Sequence, residues 1–293
     1  MITHYPIHEV SEYINWIYFF HAWGFQPRYA TIADIHGCDA CRAMWLVRFP
    51  ENERARAAEA MQLHKEAQRM LSELDGKYQT HAVFQLMEAN SEGNDIWIEG
   101  TRLPLLRQQA TKAGEPYLCL SDFIRPASKG IADKIGLFAT SVDKEMEALY
   151  PDDGYKHMLV QTLADRLAEA TAEKLHESIR KATWGYAPDE HLTIKQMHNE
   201  EFQGIRPAVG YPSLPDQSIN FIIDDLLDMK QIGITLTENG MMQPHASVSG
   251  MIFAHPASRY FSVGKIDETQ LEDYARRRKL PLETMKKYLS ANI

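Results

Sequence analysis

The sequence predicts an α+β fold: a single compact domain over residues 1 to 293, with antiparallel strands and hairpins, several helices, and no Rossmann unit. Three observations carry this. Strand-like blocks cluster in hairpins and do not alternate with helices in βαβ fashion. One long amphipathic helix stands between the two groups of strands. No G-x-G-x-x-G follows a strand, so the dinucleotide-binding architecture is not expected.

Taken in chain order, residues 10 to 25 place Val10, Tyr13, Ile14, Ile17 and Phe20 at helical spacing and predict a first amphipathic helix. A second helix is expected over residues 53 to 74, rich in Ala, Glu, Lys and Met. The sequence then changes period, with HAVFQLME and IWIEG flanking the turn-like NSEGND, which predicts a hairpin over residues 81 to 99. A further strand is expected at IGLFATSV, residues 135 to 142. The longest helix runs over residues 154 to 184, where Val160, Leu163, Ala164, Leu167, Ala168 and Leu175 form one apolar stripe. Pro188, Pro207, Pro212 and Pro215, with Gly204 and Gly210, then mark an irregular stretch crossed without regular pairing. GITLTENGMM and ASVSGMIFAHPASRYFSVGKI read as strands, with Asn239-Gly240 as a turn signal and HPASR as a second connection. Two short helices close the chain, one opening at Asp267 with Gln270 three residues on, and one near Pro281.

Composition narrows the class of function. With 44% apolar residues the chain has ample material for a core, and a net charge of -9 leaves no basic stripe to neutralise phosphates, so nucleic acid is not the expected partner. No apolar run reaches the length of a membrane span, and none is expected. The first twenty residues lack a basic start and a small-residue cleavage site, so they do not read as a signal peptide. Three cysteines cannot build a disulfide framework, and a cytoplasmic protein is the expectation.

The candidate site lies in QGIRPAVGYPSLPD, residues 203 to 216. The segment is too rich in aromatic and aliphatic residues to be a disordered tether, and a long loop inside a compact domain is usually functional. It offers a planar guanidinium, backbone groups held open by prolines and a glycine that permits close approach, which are the parts needed to hold a zwitterionic amino-acid moiety.

The GIRPAVGYP run resembles the S-adenosylmethionine-binding signature of the activation module of cobalamin-dependent methionine synthase. Further similar motifs follow the same order along the chain: INWIYFFHAW, LRQQ, SDFIRP, KIGLFATSV, LADRLAEATAEKLHESIRK, WGYAP, GITLTENGMM, ASVSG, HPASRYF and EDYARRRK. The likeness covers roughly residues 10 to 290. It implies S-adenosylmethionine in a shallow groove, and use of its methyl group with one electron from a flavodoxin-type donor to restore methylcobalamin from inactive cob(II)alamin. Cobalamin would be carried by a separate methionine synthase module acting in trans, since this chain has no cobalamin-, homocysteine- or folate-binding module. A separate subunit starting at its own Met1 is the expectation.

Carried over residue by residue, the resemblance implies ligand contacts from Arg206 to the methionine carboxylate, from Ala208, Gly210 and Tyr211 in the loop, from Tyr260, and from the acid Glu177 in LHESIRK. Asn15 stands where the family's first helix carries an aspartate contact, which keeps the shape and removes the charge. Leu214, Gln217 and Ser218 replace a cysteine, a histidine and a threonine usual in the family. Each residue also has a plainer reading: Arg206 as a surface ion pair, Glu177 as a solvated acid beside Arg180 or Lys181, the two tyrosines as loop packing. Cys38-Asp39-Ala40-Cys41, with His36 nearby, has the form of a redox pair or half a zinc site, though no second cysteine pair exists. Besides the activation subunit, two other readings stand: a binding-only or degenerate relic of the module, and a redox protein using the two cysteines.

Overall fold

A fourteen-residue strand, Gln79–Glu92 (β2), organises the molecule. The computed structural model describes residues 1 to 35 and 37 to 293, so His36 lies outside the described residues. β2 shares one edge between two partners. Ile2–Pro6 (β1) pairs with its start and Asp95–Ile98 (β3) with its end, while Asp133–Val142 (β5) runs along the opposite edge from Thr80 to Ala89. Thr101–Pro104 (β4) extends the sheet beyond β3, and Ser247–Ile252 (β8) beyond β5. Every pairing is antiparallel, in the order β4-β3-β2-β5-β8, and with the helices this is the α+β architecture expected. The predicted hairpin is present, but its turn shrinks to Gly93 and Asn94, with Gly93 at φ 60°, the region a two-residue primed turn requires.

Both sheet faces are covered. Ala82, Phe84, Phe138, Val142, Val248 and Ile252 pack towards Arg54–Leu74 (α4) and Gly154–Ser178 (α5). The alternate residues Val83, Met87, Ile135, Leu137, Met251 and Phe253 pack towards Ile219–Leu227 (α7). Period-two alternation thus divides one sheet between two cores. A third, smaller core joins Leu106 to the closing helices Glu268–Arg278 (α8) and Leu282–Tyr288 (α9). Asp267 caps α8 as predicted, accepting from the Gln270 amide at 2.8 Å.

Three expectations change. The first helix is divided into Ile7–Ser11 (α1) and Trp16–Ala22 (α2), because Asn15 is extended and its side chain accepts from the Ile17 amide, capping a new helix in place of continuing the old one. Residues 233 to 242 yield only Thr235–Leu236 (β6) and Met242–Gln243 (β7) around the turn at 238 to 240. Residues 258 to 266 form no strand. Past Pro256 the chain leaves the sheet and runs out to the C-terminal helices, with the Val263 amide donating to Pro212 and the Ile266 amide to Asn292. Asp39–Val47 (α3) and Ile194–His198 (α6) complete the helices among the described residues; neither these nor α7 was anticipated. The long helix ends in a wider π turn, Ile179–Thr183, which buries Arg180 against Glu190 at 2.6 Å. No described helix is long and apolar enough to cross a membrane.

Candidate functional site

The site is a groove of about 680 Å³ between the start of α2, the middle of α5, the 197 to 213 segment, and Tyr260 with Phe261. α5 supplies Arg166, Glu169 and Glu173, whose three- and four-residue spacing sets them on one face. The opposing loop is positioned by β8. Ile205 exchanges backbone hydrogen bonds with Phe253, the Val209 amide donates to Ser249, and the Met251 amide donates to Pro207. The proline-rich stretch is therefore paired, contrary to the expectation. Pro207 lacks an N–H but still accepts, so the ladder survives with a gap. The approach requires glycine at 250, where a Cβ would sit 2.3 Å from the Pro207 carbonyl oxygen.

Arg206 lies at the centre. Its Nη2 donates to Glu173 in a very close ion pair, its backbone amide donates to the Tyr260 hydroxyl at 2.9 Å, and its guanidinium lies 5.5 Å from the Phe138 ring. The plainer reading of a surface ion pair is half right: Arg206 is paired, but its side chain is only 11% exposed. Burial opposes its charge, yet the Glu173 carboxylate holds its pKa above the ordinary value. Burial likewise pushes the Tyr260 hydroxyl up to about 12, so it stays protonated. Arg206 Nε and Glu173 Oε2 are buried without a hydrogen-bond partner. Such groups are rare in folded proteins because each forfeits its hydration.

Tyr211 is half exposed and donates to Glu169 at 2.8 Å, and Glu169 also accepts from Arg166. Glu200 faces the same space at φ 59°, with its pKa raised by burial and by the Glu173 charge. The wall carries the carboxylates Glu169, Glu173 and Glu200 against the guanidiniums Arg166 and Arg206. That balance favours a cationic guest.

Of the residues expected from sequence, Asn15, Arg206, Ala208, Tyr211 and Tyr260 line the groove together. Gly210 does not form the wall; at φ 86° it shapes the loop, donating its amide to Leu214 at 2.8 Å. Glu177 is also outside the wall, accepting from Tyr13 at 2.6 Å and from Lys181 at 3.3 Å. It reaches the groove only through Tyr13, which does line it. Glu169, Glu173, Glu200 and Tyr13 were not anticipated. Glu169 and Glu173 stand two turns and one turn before Glu177 on α5, so the signal was present, but not which turn meets the loop.

Among the described residues no cluster of three or more His, Cys, Asp or Glu side chains gathers for a metal. Cys38 and Cys41 are joined as a disulfide at the exposed start of α3, away from the groove wall, and Cys119 is buried.

Two comparisons bear on this geometry. The family model for the activation domain of vitamin B12 dependent methionine synthase matches residues 6–279. The fold is similar to the crystal structure of a MetH reactivation domain bound to AdoHcy, with a TM-score of 0.86 and 36% sequence identity over 100% of this chain and 90% of that one.

Proposed function

Because the chain belongs to the vitamin B12 dependent methionine synthase activation domain family, we propose that it binds S-adenosylmethionine in the groove and supports reductive methylation of cobalamin on a separate methionine synthase. The observation that carries this reading is the orphaned pair at the centre, Arg206 Nε and Glu173 Oε2. A guanidinium and a carboxylate joined in one ion pair on the groove wall, each keeping one unsatisfied atom, match the two ends of an amino acid. An α-carboxylate accepts from Arg206, and an α-ammonium donates to Glu173 or Glu169. The similar domain bound to AdoHcy supports a ligand with this amino-acid tail.

The residues present fit the ligand. Tyr211 closes one side with an aromatic face, Tyr260 is held protonated behind Arg206, and the carboxylate excess favours an ammonium or sulfonium. When bound, S-adenosylmethionine supplies the methyl group that, with one electron from a flavodoxin-type donor, returns cob(II)alamin on the partner to its methylated form. The work of this chain is to bind and orient: Arg206 fixes the amino-acid end, and the groove wall fixes which side of the ligand stays open.

A binding-only relic is favoured by one observation, the neutral Asn15 on the groove wall. Calorimetry with S-adenosylmethionine, followed by addition of the chain to a cobalamin-carrying methionine synthase lacking this module, with reduced flavodoxin, separates the readings. One binding site and resumed methionine formation are expected. Binding without resumed turnover gives the relic, and no binding at millimolar ligand removes both.

A further inference from the structure

The twelve histidines show no metal-binding spacing along the sequence, but the sheet brings two of them together. His4 on β1 and His81 on β2 are direct cross-strand partners, and their Nδ1 atoms face each other at 2.8 Å. His81 Nε2 lies 2.8 Å from Asp143 Oδ1, while the other oxygen of Asp143 accepts from the Gln79 amide at 2.7 Å. The carboxylate is therefore anchored, and it fixes the proton of His81 on Nε2 and leaves its Nδ1 with a lone pair aimed at His4. That is the arrangement by which a carboxylate behind a histidine prepares it as a metal ligand.

We propose that His4 and His81 form a two-histidine site for a divalent transition-metal ion of tetragonal preference, copper(II) above nickel(II), which bridges β1 to β2. Two nitrogens 2.8 Å apart, each ~2.0–2.1 Å from one ion, subtend about 86°. This is the cis angle of square-planar and tetragonal ions, whereas tetrahedral zinc needs a wider bite. His81 is held by Asp143, so the ion lies on the axis of its Nδ1 lone pair, and the exposed His4 ring swings to bring its own Nδ1 beside that ion while its proton moves to Nε2. Water completes the coordination, since no third His, Cys, Asp or Glu among the described residues joins the pair. The ion crosslinks the outer strand β1, which otherwise holds to the sheet through β2 alone.

The test titrates copper(II), nickel(II) and zinc(II) chloride into the metal-stripped full chain, reading heat, melting temperature and, for copper, electron paramagnetic resonance. One copper equivalent with nitrogen ligation and a raised melting temperature is expected, in the affinity order copper, nickel, zinc. His4→Asn and His81→Asn should each weaken copper at least tenfold, and Asp143→Asn roughly tenfold. His4→Asn changes an exposed residue of an outer strand, and an unchanged melting temperature of the metal-free variant separates lost binding from lost folding. None of the three residues lines the groove, and S-adenosylmethionine affinity in the variants should stay unchanged, so this site fails or stands apart from the proposed function. No 1:1 copper complex, or zinc bound tighter than copper, overturns the proposal. So does copper binding that survives His81→Asn, which would put the ion on His4 and the chain's amino terminus.

Discussion

Arg206 serves two partners at once, a carboxylate beside it and a tyrosine hydroxyl at its backbone. Its planar fork has donors in fixed directions, which lysine cannot reproduce. Arg206→Lys keeps the charge beside Glu173 but loses the second donor direction; S-adenosylmethionine binding should weaken about tenfold, or ~1.4 kcal/mol, with a small shift in melting temperature. A large fall in melting temperature would make the arginine structural. Asn15 caps α2, and aspartate caps equally well, so Asn15→Asp preserves the backbone geometry. The charge near the helix start adds about 0.3–1 kcal/mol of stability, and a larger gain should appear in binding. That gain should shrink with salt, and should be smaller for S-adenosylhomocysteine if the sulfonium is what the carboxylate meets. Unchanged affinity for both ligands would remove position 15 from the site. The two glutamates on α5 make a paired comparison. Glu169→Gln removes a charge from the groove wall and should weaken binding about tenfold, while Glu177→Gln, whose partners are Tyr13 and Lys181, should change it less than threefold. The reverse order, read by calorimetry on both variants, would place the ligand a full two turns along α5.

At the scale of elements, the groove depends on how closely the 205 to 209 segment lies on β8. Gly250 sets that distance, because a Cβ there would meet the Pro207 carbonyl oxygen at 2.3 Å and the Ala208 Cα at 2.9 Å. Neither contact is with a flexible side chain, so the loop itself must move. Gly250→Ala should cost about 2–3 kcal/mol in urea unfolding and weaken S-adenosylmethionine binding by more than Arg206→Lys does, since Arg206, Ala208 and Tyr211 shift together. Stability lost with affinity intact would mean that the ligand does not touch this segment. The same logic explains Gly204, whose Cβ would lie 2.4 Å from the Phe253 carbonyl oxygen at the other end of the pairing. The contact between this segment and β8 thus has a required glycine on each side, Gly204 in the loop and Gly250 on the strand.

For the molecule as a whole, acid stability is written in two histidines whose pKa the fold lowers, the half-buried His64 and the buried His176. His64 packs edge-on to Trp16 with ring centroids 4.6 Å apart, and burial together with Arg42 lowers its pKa to about 4. His176 is fully buried and shifted the same way by burial and by Arg180 and Arg206. In the unfolded chain a histidine takes its proton near pH 6.5, while folded His64 resists until about 4. The stability tied to the neutral ring is therefore fully present above pH 6.5 and is lost as pH falls towards 4. For His64 alone the loss between pH 7 and 4.5 is about 2 kcal/mol. Urea unfolding of His64→Gln across this range should show a correspondingly flatter decline than the parent chain, and parallel curves would mean that the ring is already charged in the fold.

What the sequence determined by itself is whatever has a local period or a chain of matching motifs. The 3.6-residue stripe of α5, the Ala-rich α4, the β2–β3 hairpin and the cap of α8 were legible because each is set by neighbours within a few residues. The family was legible because its motifs recur in order from the first helix to α8. The tertiary structure decided what depends on elements far apart in the chain. Periodicity places Glu169, Glu173 and Glu177 near one face of α5, but only the packing of the 197 to 213 segment against that helix selects the first two for the groove wall. Proline and glycine content marked residues 203 to 216 as irregular, yet β8 turns part of it into a paired edge, because a carbonyl can join a ladder where its own amide cannot. His4 and His81 stand 77 residues apart and become neighbours solely through the register of β1 on β2. A one-residue slip would move His81 to the opposite face of the sheet from His4, and no local signal in either segment specifies that register.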